Sequence, residues 1–267
     1  MNKNIKLLLI GKNSFISTNL HSFLKNKIFV KKVSFESFKV MNLNDLKKYT
    51  HVCNCSITKN YCSYNYNKNH DLDLEIVKKI KNLNLKFIFL SSRKVYKPAP
   101  NIKETSKIKP IDTYSKNKFI TEKEIKKYMK KKHIILRISN VIGVKYNKKK
   151  YRKISSTFID NYYKFKKIKK KVFYKDEYKD FLTIEQFKII FLKILKFDLI
   201  GTYNFSLGEK VYVSEILNAL NKYKNTKKFV KINSKNNNSF YLNNKKLLNK
   251  IKFELKKKDL LRYCYKI

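Results

Sequence analysis

Tyr114 and Lys118 stand four residues apart in Y-S-K-N-K. On a helix that spacing puts both on one face, where an ammonium favours the tyrosinate and makes the phenol a usable general acid or base. Ser91-Ser92 closes the apolar run F-I-F-L earlier in the chain. It offers hydroxyls at the C-terminal end of a predicted buried strand, where open parallel sheets hold their ligands. A third element is Gly11-Lys12-Asn13-Ser14-Phe15-Ile16-Ser17, between the apolar run Ile5 to Ile10 and a helical pattern. Such a turn aims helix N-terminal N–H groups at a phosphate. Only its first position is glycine, with Ser14 and Ser17 where a G-x-x-G-x-x-G turn has its later glycines, so alone it reads equally as an ordinary strand–helix junction. Y-x-x-x-K also arises by chance in a Tyr- and Lys-rich chain. Its place argues for function: it lies on the helix after the serine strand and before the next strand, so all three side chains reach one sheet edge.

The elements that must position these residues follow from periodicity. Ile5 to Ile10, Ile28 to Val33, a brief run Phe38 to Met41, His51 to Ile57, Lys86 to Leu90 and His133 to Ile138 read as strands. Between them, Phe15, Ile16, Leu20, Phe23 and Leu24 recur at helical spacing, as do Leu72, Ile76, Ile80 and Leu83, and Thr113 to Lys131 forms a long charged helix. Strands alternating with helices of this length predict a doubly wound parallel sheet covered on both faces, an α/β fold. Beyond Gly143 the texture changes to a basic loop at Lys145 to Lys153 and a helix at Ile154 to Phe165. A short strand follows at Val172 to Tyr174, then a helix at Ile184 to Leu195, a strand at Thr202 to Phe205 and a helix at Val213 to Tyr223. An Asn-rich loop at Asn233 to Ser239 precedes two short basic helices. The expected division is a nucleotide-binding domain over 1–143 and a smaller lobe over 144–267, partly interleaved with it.

Composition narrows the class. The chain has 267 residues, 43% of them hydrophobic, enough to bury a sizeable core. Its net charge of +45 comes from 64 Lys and Arg against 19 Asp and Glu. Only Arg93, Arg137, Arg152 and Arg262 are arginine, and the lysines are dispersed. Together with abundant Asn, Ile, Tyr and Phe and only 4 Gly, this is what A/T-rich codons write into any surface. No specific nucleic-acid partner is expected, although anionic ligands are favoured. Cys53, Cys55, Cys62 and Cys264 form no C-x-x-C pair and have no histidine at ligand spacing, so reduced thiols are expected and no metal. The first apolar run is too short for a signal peptide and nothing approaches a membrane span, which predicts a soluble cytoplasmic protein.

Taken in order, L-L-L-I-G-K-N-S-F-I-S, H-V-C-N-C-S-I, F-I-F-L-S-S-R-K-V-Y, P-I-D-T-Y-S-K-N-K, I-L-R-I-S-N-V-I-G, K-D-F-L-T-I-E-Q and G-T-Y-N-F-S-L-G resemble the extended short-chain dehydrogenase/reductases, the NAD-dependent epimerase/dehydratase family acting mostly on nucleotide sugars. The resemblance runs along nearly the whole chain. It implies a Rossmann-type domain with a small C-terminal substrate lobe, NAD or NADP as cofactor, a nucleotide-sugar substrate and room for a homodimer. By it Ser92, Tyr114 and Lys118 are catalytic, with Lys118 also holding the nicotinamide ribose. Gly11, Ser14, Phe15 and Ile16 lie at the cofactor's phosphates, Asn42 and Leu43 beside adenine, and Cys55 and Ser56 along its path. Ser92, Asn140 and Lys179 face the substrate, whereas Arg137 is read as structural. Asn140 reads equally as a loop cap and Lys179 as a solvated lysine. The departures are the two turn serines, asparagine for aspartate at 42, lysine for arginine at 179, Lys97 where glycine is common, and a short chain. With no acidic residue at the end of the second strand and Lys31 and Lys32 nearby, NAD and NADP stay open. The alternative to an enzyme is a catalytically silent dinucleotide-binding protein of the same fold, with a regulatory or scaffolding role.

Overall fold

The computed structural model describes residues 4–143, 172–222, 230–233 and 238–267. The chain divides into two compact units. One comprises Met1–Lys97, Ser106–Ile138 and Lys188–Tyr203, the other Pro98–Thr105, Ser139–Phe187 and Asn204–Ile267.

In the first unit, β1 (Lys6–Ile10), α1 (Phe15–Leu24), β2 (Phe29–Val33), α2 (Phe35–Val40), α3 (Leu43–Leu46), β3 (His51–Asn54), α4 (Lys59–Ser63), α5 (Leu72–Ile80), β4 (Lys86–Ser92), α6 (Thr113–Met129) and β5 (His133–Ile138) follow one another. The chain continues through β6 (Asn140–Ile142), β7 (Val172–Lys175), β8 (Tyr178–Lys179) and β9 (Phe181–Thr183). Then come α7 (Ile184–Lys196), β10 (Gly201–Phe205), β11 (Val211–Tyr212), α8 (Val213–Leu220), β12 (Val230–Asn233), α9 (Lys245–Ile251) and α10 (Lys257–Lys266).

The main sheet runs β10-β5-β4-β3-β1-β2. Each pair from β2 to β5 is parallel, with Leu8 opposite Lys31 on one side and Val52 on the other, and Ser92 opposite Ile138. Leu8, Ile10, Phe87 and Phe89 alternate onto one face. There they join Phe38, Ile76, Val77, Ile80, Ile125 and Met129 from the helices in one buried cluster. Leu7, Leu9 and Ile88, of opposite parity, are buried too, so the sheet is covered on both faces, as a doubly wound α/β fold requires. The strand order reverses between β1 and β3, and that is where such sheets open a ligand crevice.

The expected strand at Phe38 to Met41 does not form; α2 takes its place, and β2 is the sheet's edge. The Ser34 hydroxyl accepts the Ser37 N–H at 3.0 Å and starts a helix. Phe35 and Phe38, three residues apart, then reach the core together with ring centroids 6.3 Å apart. The strand expected over His51 to Ile57 ends at Asn54, whose side chain accepts the Ser56 N–H at 2.9 Å and donates to the Ser56 carbonyl at 3.1 Å, turning the chain. The loop at Lys145 to Lys153 and the helix at Ile154 to Phe165 fall outside the described residues, as does most of the Asn-rich loop.

The second unit holds short pairs: β6 with β9 and β7 with β12 in parallel, β8 with β11 antiparallel. Buried Asp180 ties it together. Its carboxylate accepts the N–H groups of Leu207 at 3.0 Å, Gly208 at 3.2 Å and Leu242 at 3.0 Å.

Candidate active site

The turn after β1 is set by Gly11, at φ +104°. Its N–H donates to the Val33 carbonyl at 2.9 Å, and the carbonyl of its neighbour Ile10 accepts the Cys55 N–H at 2.8 Å. A Cβ at Gly11 would lie 2.7 Å from Ser56 Oγ and 3.0 Å from the backbone of Cys55 and Ser56. The ends of β1 and β3 thus touch where the strand order reverses, bringing Gly11 to Cys55 and Ser56. The two turn serines close on each other: Ser14 Oγ accepts the Ser17 N–H at 3.1 Å and donates to Ser17 Oγ at 2.9 Å, while buried Ser17 Oγ donates to the Gly11 carbonyl. Phe15 and Ile16 open α1 half-buried. Asn42 and Leu43 are exposed, Asn42 capping α3 by accepting the Asp45 N–H at 2.8 Å.

Ser92 ends β4, and its Oγ accepts the Lys94 N–H at 3.2 Å. The Lys94 ammonium lies 5.9 Å from the Tyr114 ring centroid and 2.8 Å from Asp112 Oδ2. One residue therefore spans from the serine to the tyrosine. Asp112 is also the N-cap of α6. It accepts the Ser115 N–H at 2.8 Å while Ser115 Oγ accepts the Asp112 N–H at 3.1 Å, a reciprocal cap that places Tyr114 in the helix's first turn. One turn on, Lys118 brings its ammonium 6.0 Å from the Tyr114 ring centroid. Ser92, Tyr114 and Lys118 thus share one end of the sheet.

Below them, Ser91 Oγ donates to Glu122 Oε1 at 2.6 Å. Arg137 grips the same carboxylate from Nε at 3.0 Å and Nη2 at 2.6 Å, and donates from Nη1 to Tyr96 Oη. Arg137 and Glu122 are buried, so Arg137 fixes the strand end behind Ser92.

Sequence reasoning missed a group beside Lys118. Its side chain, 6% exposed, stacks over Phe89 at 4.4 Å and Tyr61 at 5.5 Å, with Asp73 Oδ2 3.8 Å from Nζ. Asn54 donates to Asp73 Oδ1 at 3.0 Å. Next to it, Asp71 caps α5 and accepts from Thr121 at 2.6 Å and Tyr66 at 3.0 Å; Thr121 also bonds Tyr61 Oη at 2.7 Å. Burial pushes the Tyr61 phenol far above its ordinary range and Tyr66 less far. The D-L-D motif at 71–73 could have raised the question, because one aspartate caps the helix and the second, two residues on, cannot.

The remaining expected substrate residues belong to the second unit. Asn140 donates its amide to the Asp180 carbonyl at 3.1 Å, and the Lys179 ammonium pairs with Glu177 at 3.0 Å. The four cysteines are free thiols, Cys53 and Cys264 buried. Among the described residues no cluster of His, Cys, Asp or Glu could hold a metal ion, and no helix is long and apolar enough to cross a membrane.

No curated protein matches this chain in sequence. Among solved structures it is similar to a UDP-glucuronic acid 4-epimerase from Bacillus cereus in complex with NAD. The TM-score is 0.75 at 17% identity, over 98% of each chain. It is also similar to a dTDP-glucose 4,6-dehydratase from Bacillus anthracis in complex with NAD, with TM-score 0.74 and 16% identity over 98% of this chain and 96% of that one. A UDP-N-acetylglucosamine 4-epimerase from Methanobrevibacter ruminantium in complex with UDP-N-acetylmuramic acid gives TM-score 0.73 and 19% identity, over 98% and 96%. These likenesses establish the fold. A sequence-family description, the NAD dependent epimerase/dehydratase family, matches residues 36–204, well over half the chain, and starts beyond the serine-substituted turn. With the sheet, the switch point and that match in agreement, the chain belongs to the NAD dependent epimerase/dehydratase family.

Proposed function

We propose that this chain is an NAD(P)-dependent enzyme that modifies a nucleotide sugar by hydride transfer, as a reductase, epimerase or dehydratase, with Ser92, Tyr114 and Lys118 as its catalytic residues. The observation that carries the reading is the buried Lys118 ammonium 6.0 Å from the Tyr114 ring, at the sheet end where Ser92 also lies. The turn lies where such a sheet takes a dinucleotide: Gly11, at φ +104° and with no room for a Cβ against Ser56, makes the tight strand-to-helix turn at the switch point. Gly11, Ser14, Phe15 and Ile16 would flank the phosphates, Cys55 and Ser56 the path from the turn, and Asn42 and Leu43 the adenine. A bound nicotinamide supplies or accepts the hydride. NAD, carried by two of the similar structures, is the first cofactor to test.

The protein's own part is proton handling and orientation. Tyr114 Oη gives or takes the proton of the reacting sugar oxygen. The Lys118 ammonium stabilises the tyrosinate and holds ribose hydroxyls. Ser92 Oγ already accepts from Lys94 N–H, which leaves its hydroxyl to donate to the same sugar oxygen. Asn140 and Lys179 are assigned to the substrate's nucleotide and diphosphate.

One observation favours a second reading, a dinucleotide-binding protein without turnover. Ser14 Oγ occupies the Ser17 N–H, one of the helix N-terminal amides that a glycine at 14 would leave uncapped beside an anion. The test is cofactor calorimetry combined with a screen of nucleotide sugars against NADH and NADPH. Tyr114→Phe should lower turnover by roughly two to four orders of magnitude with cofactor affinity little changed. Lys118→Met should lose both, and Ser92→Ala should lose less turnover than the tyrosine change. Cofactor binding without turnover on any sugar selects the second reading, and no binding at millimolar concentration rejects both.

A further inference from the structure

We propose that Asp73 is the counter-ion that holds the Lys118 ammonium in place, a positioning residue for the reaction proposed above and resting on that reading. The pair is dry: the two side chains are 6% and 7% exposed, with Nζ and Oδ2 3.8 Å apart. The rings of Phe89 and Tyr61 attract the ammonium but carry no charge to balance it. A separation of 3.8 Å is salt-bridge range but beyond hydrogen-bond length. Asp73 therefore holds the charge while committing none of the three N–H donors of Lys118, which stay available to a ribose and to Tyr114.

Asp73 is itself fixed. Asn54 donates to its other oxygen at 3.0 Å, and the same asparagine clamps both backbone groups of Ser56, the residue pressed against Gly11. Counter-ion and strand end are thus one hydrogen-bonded piece packed against the turn, so a shift of Asp73 displaces the ammonium relative to the turn.

The groups that face this carboxyl are Lys118 from α6, Asp71 from the cap of α5, Cys53 and Asn54 from β3, and Tyr61 and Tyr66 around α4. Burial raises Asp73, Lys118 pulls it down and Asp71 pushes it up again, to about 7. Below that pH the carboxyl takes up a proton and the ammonium loses its partner, so turnover should have an acid limb near neutrality that belongs to residue 73.

Two measurements test the proposal. In the apo protein, the carboxyl 13C signal of Asp73, assigned by its loss in Asp73→Glu, should titrate near neutrality, and in Lys118→Met its midpoint should rise by about one unit or more. In the wild type, turnover should fall through the same range. Asp73→Asn should lose roughly 10- to 100-fold in kcat with its acid limb flattened, and Asp73→Glu should recover part of both. A residue needed only for packing would lower the rate without removing the limb. An Asp73 midpoint unmoved by Lys118→Met overturns the ion pair, and wild-type kcat with an unchanged limb in Asp73→Asn overturns the positioning role. If the midpoint moves but the wild type turns over no sugar, the counter-ion is upheld and the proposed function falls instead.

Discussion

Gly11→Ala is the sharpest single test of the turn. Gly11 sits at φ +104°, and an added methyl meets Ser56 Oγ at 2.7 Å and two backbone atoms, Cys55 C and Ser56 N, at 3.0 Å. The backbone conformation costs a residue with a side chain about 1–3 kcal/mol, and forcing a methyl into a packed site costs about another 1–3 kcal/mol. The unfolded chain loses some freedom in exchange, returning about 0.4–1 kcal/mol. The net expectation is a destabilisation of roughly 1–6 kcal/mol. Because the chain has no tryptophan, urea unfolding is best followed by circular dichroism, for Gly11→Ala, Ser56→Ala and the double variant. The geometry predicts partial rescue in the double variant: removing Ser56 Oγ relieves the shortest contact but leaves the two backbone contacts and the positive φ. Gly11→Ala within about 1 kcal/mol of wild type would refute the reasoning. Full rescue by Ser56→Ala would refute its backbone component.

Two further expectations concern buried charge. Glu122→Gln leaves the Arg137 guanidinium buried without its counter-charge and should cost about 3–5 kcal/mol. Removing both charges together, as in Glu122→Leu with Arg137→Met, should recover most of that loss in the same urea titrations, and a cost under about 1 kcal/mol for Glu122→Gln would show the pair to be unimportant. Burial raises Asp180 to about 7 despite its backbone hydrogen bonds, so between about pH 4 and 7 the folded protein keeps a proton that the unfolded chain releases. Stability from this residue therefore falls as pH rises through that window, by on the order of 4 kcal/mol, and the wild type's advantage over Asp180→Asn should shrink from about pH 5 to about pH 8 in urea titrations.

The parts of the fold that were legible are those whose cause is local. The sequence pattern matches β5 to the residue at His133–Ile138 and α7 to within one, because an apolar run bounded by polar turns and a one-sided helical stripe are written into neighbouring residues. F-K-V-M at 38–41 suits a strand as well as a helix end, and the chain takes the helix. The deciding signal, Ser34 capping Ser37, lies a turn upstream and competes with nothing else in that segment. The same holds at the candidate site. Tyr114 and Lys118 could be paired from spacing alone, since a helix converts four residues into one face. Asp73 could not: it reaches Lys118 across the packing of α5 on α6, a relation that no periodicity in either helix records.

That difference bears on the two turn serines. Judged from sequence, they weaken the turn, because glycine is what lets a phosphate approach. In the structure they do separate jobs: Ser17 is buried and bonds the Gly11 carbonyl, so it strengthens the turn's own fold, while Ser14 alone takes up a helix amide. The cost to cofactor binding is therefore expected to sit at Ser14. Ser14→Gly removes the hydroxyl that covers the Ser17 N–H and should tighten cofactor binding while weakening the helix cap by a few tenths of a kcal/mol. Ser17→Gly removes a buried hydrogen bond and should cost about 1 kcal/mol of stability with no gain in affinity. Calorimetry with NAD on the two variants separates the roles: tighter binding in Ser17→Gly, or weaker binding in Ser14→Gly, would contradict the division of labour that the hydrogen bonds describe.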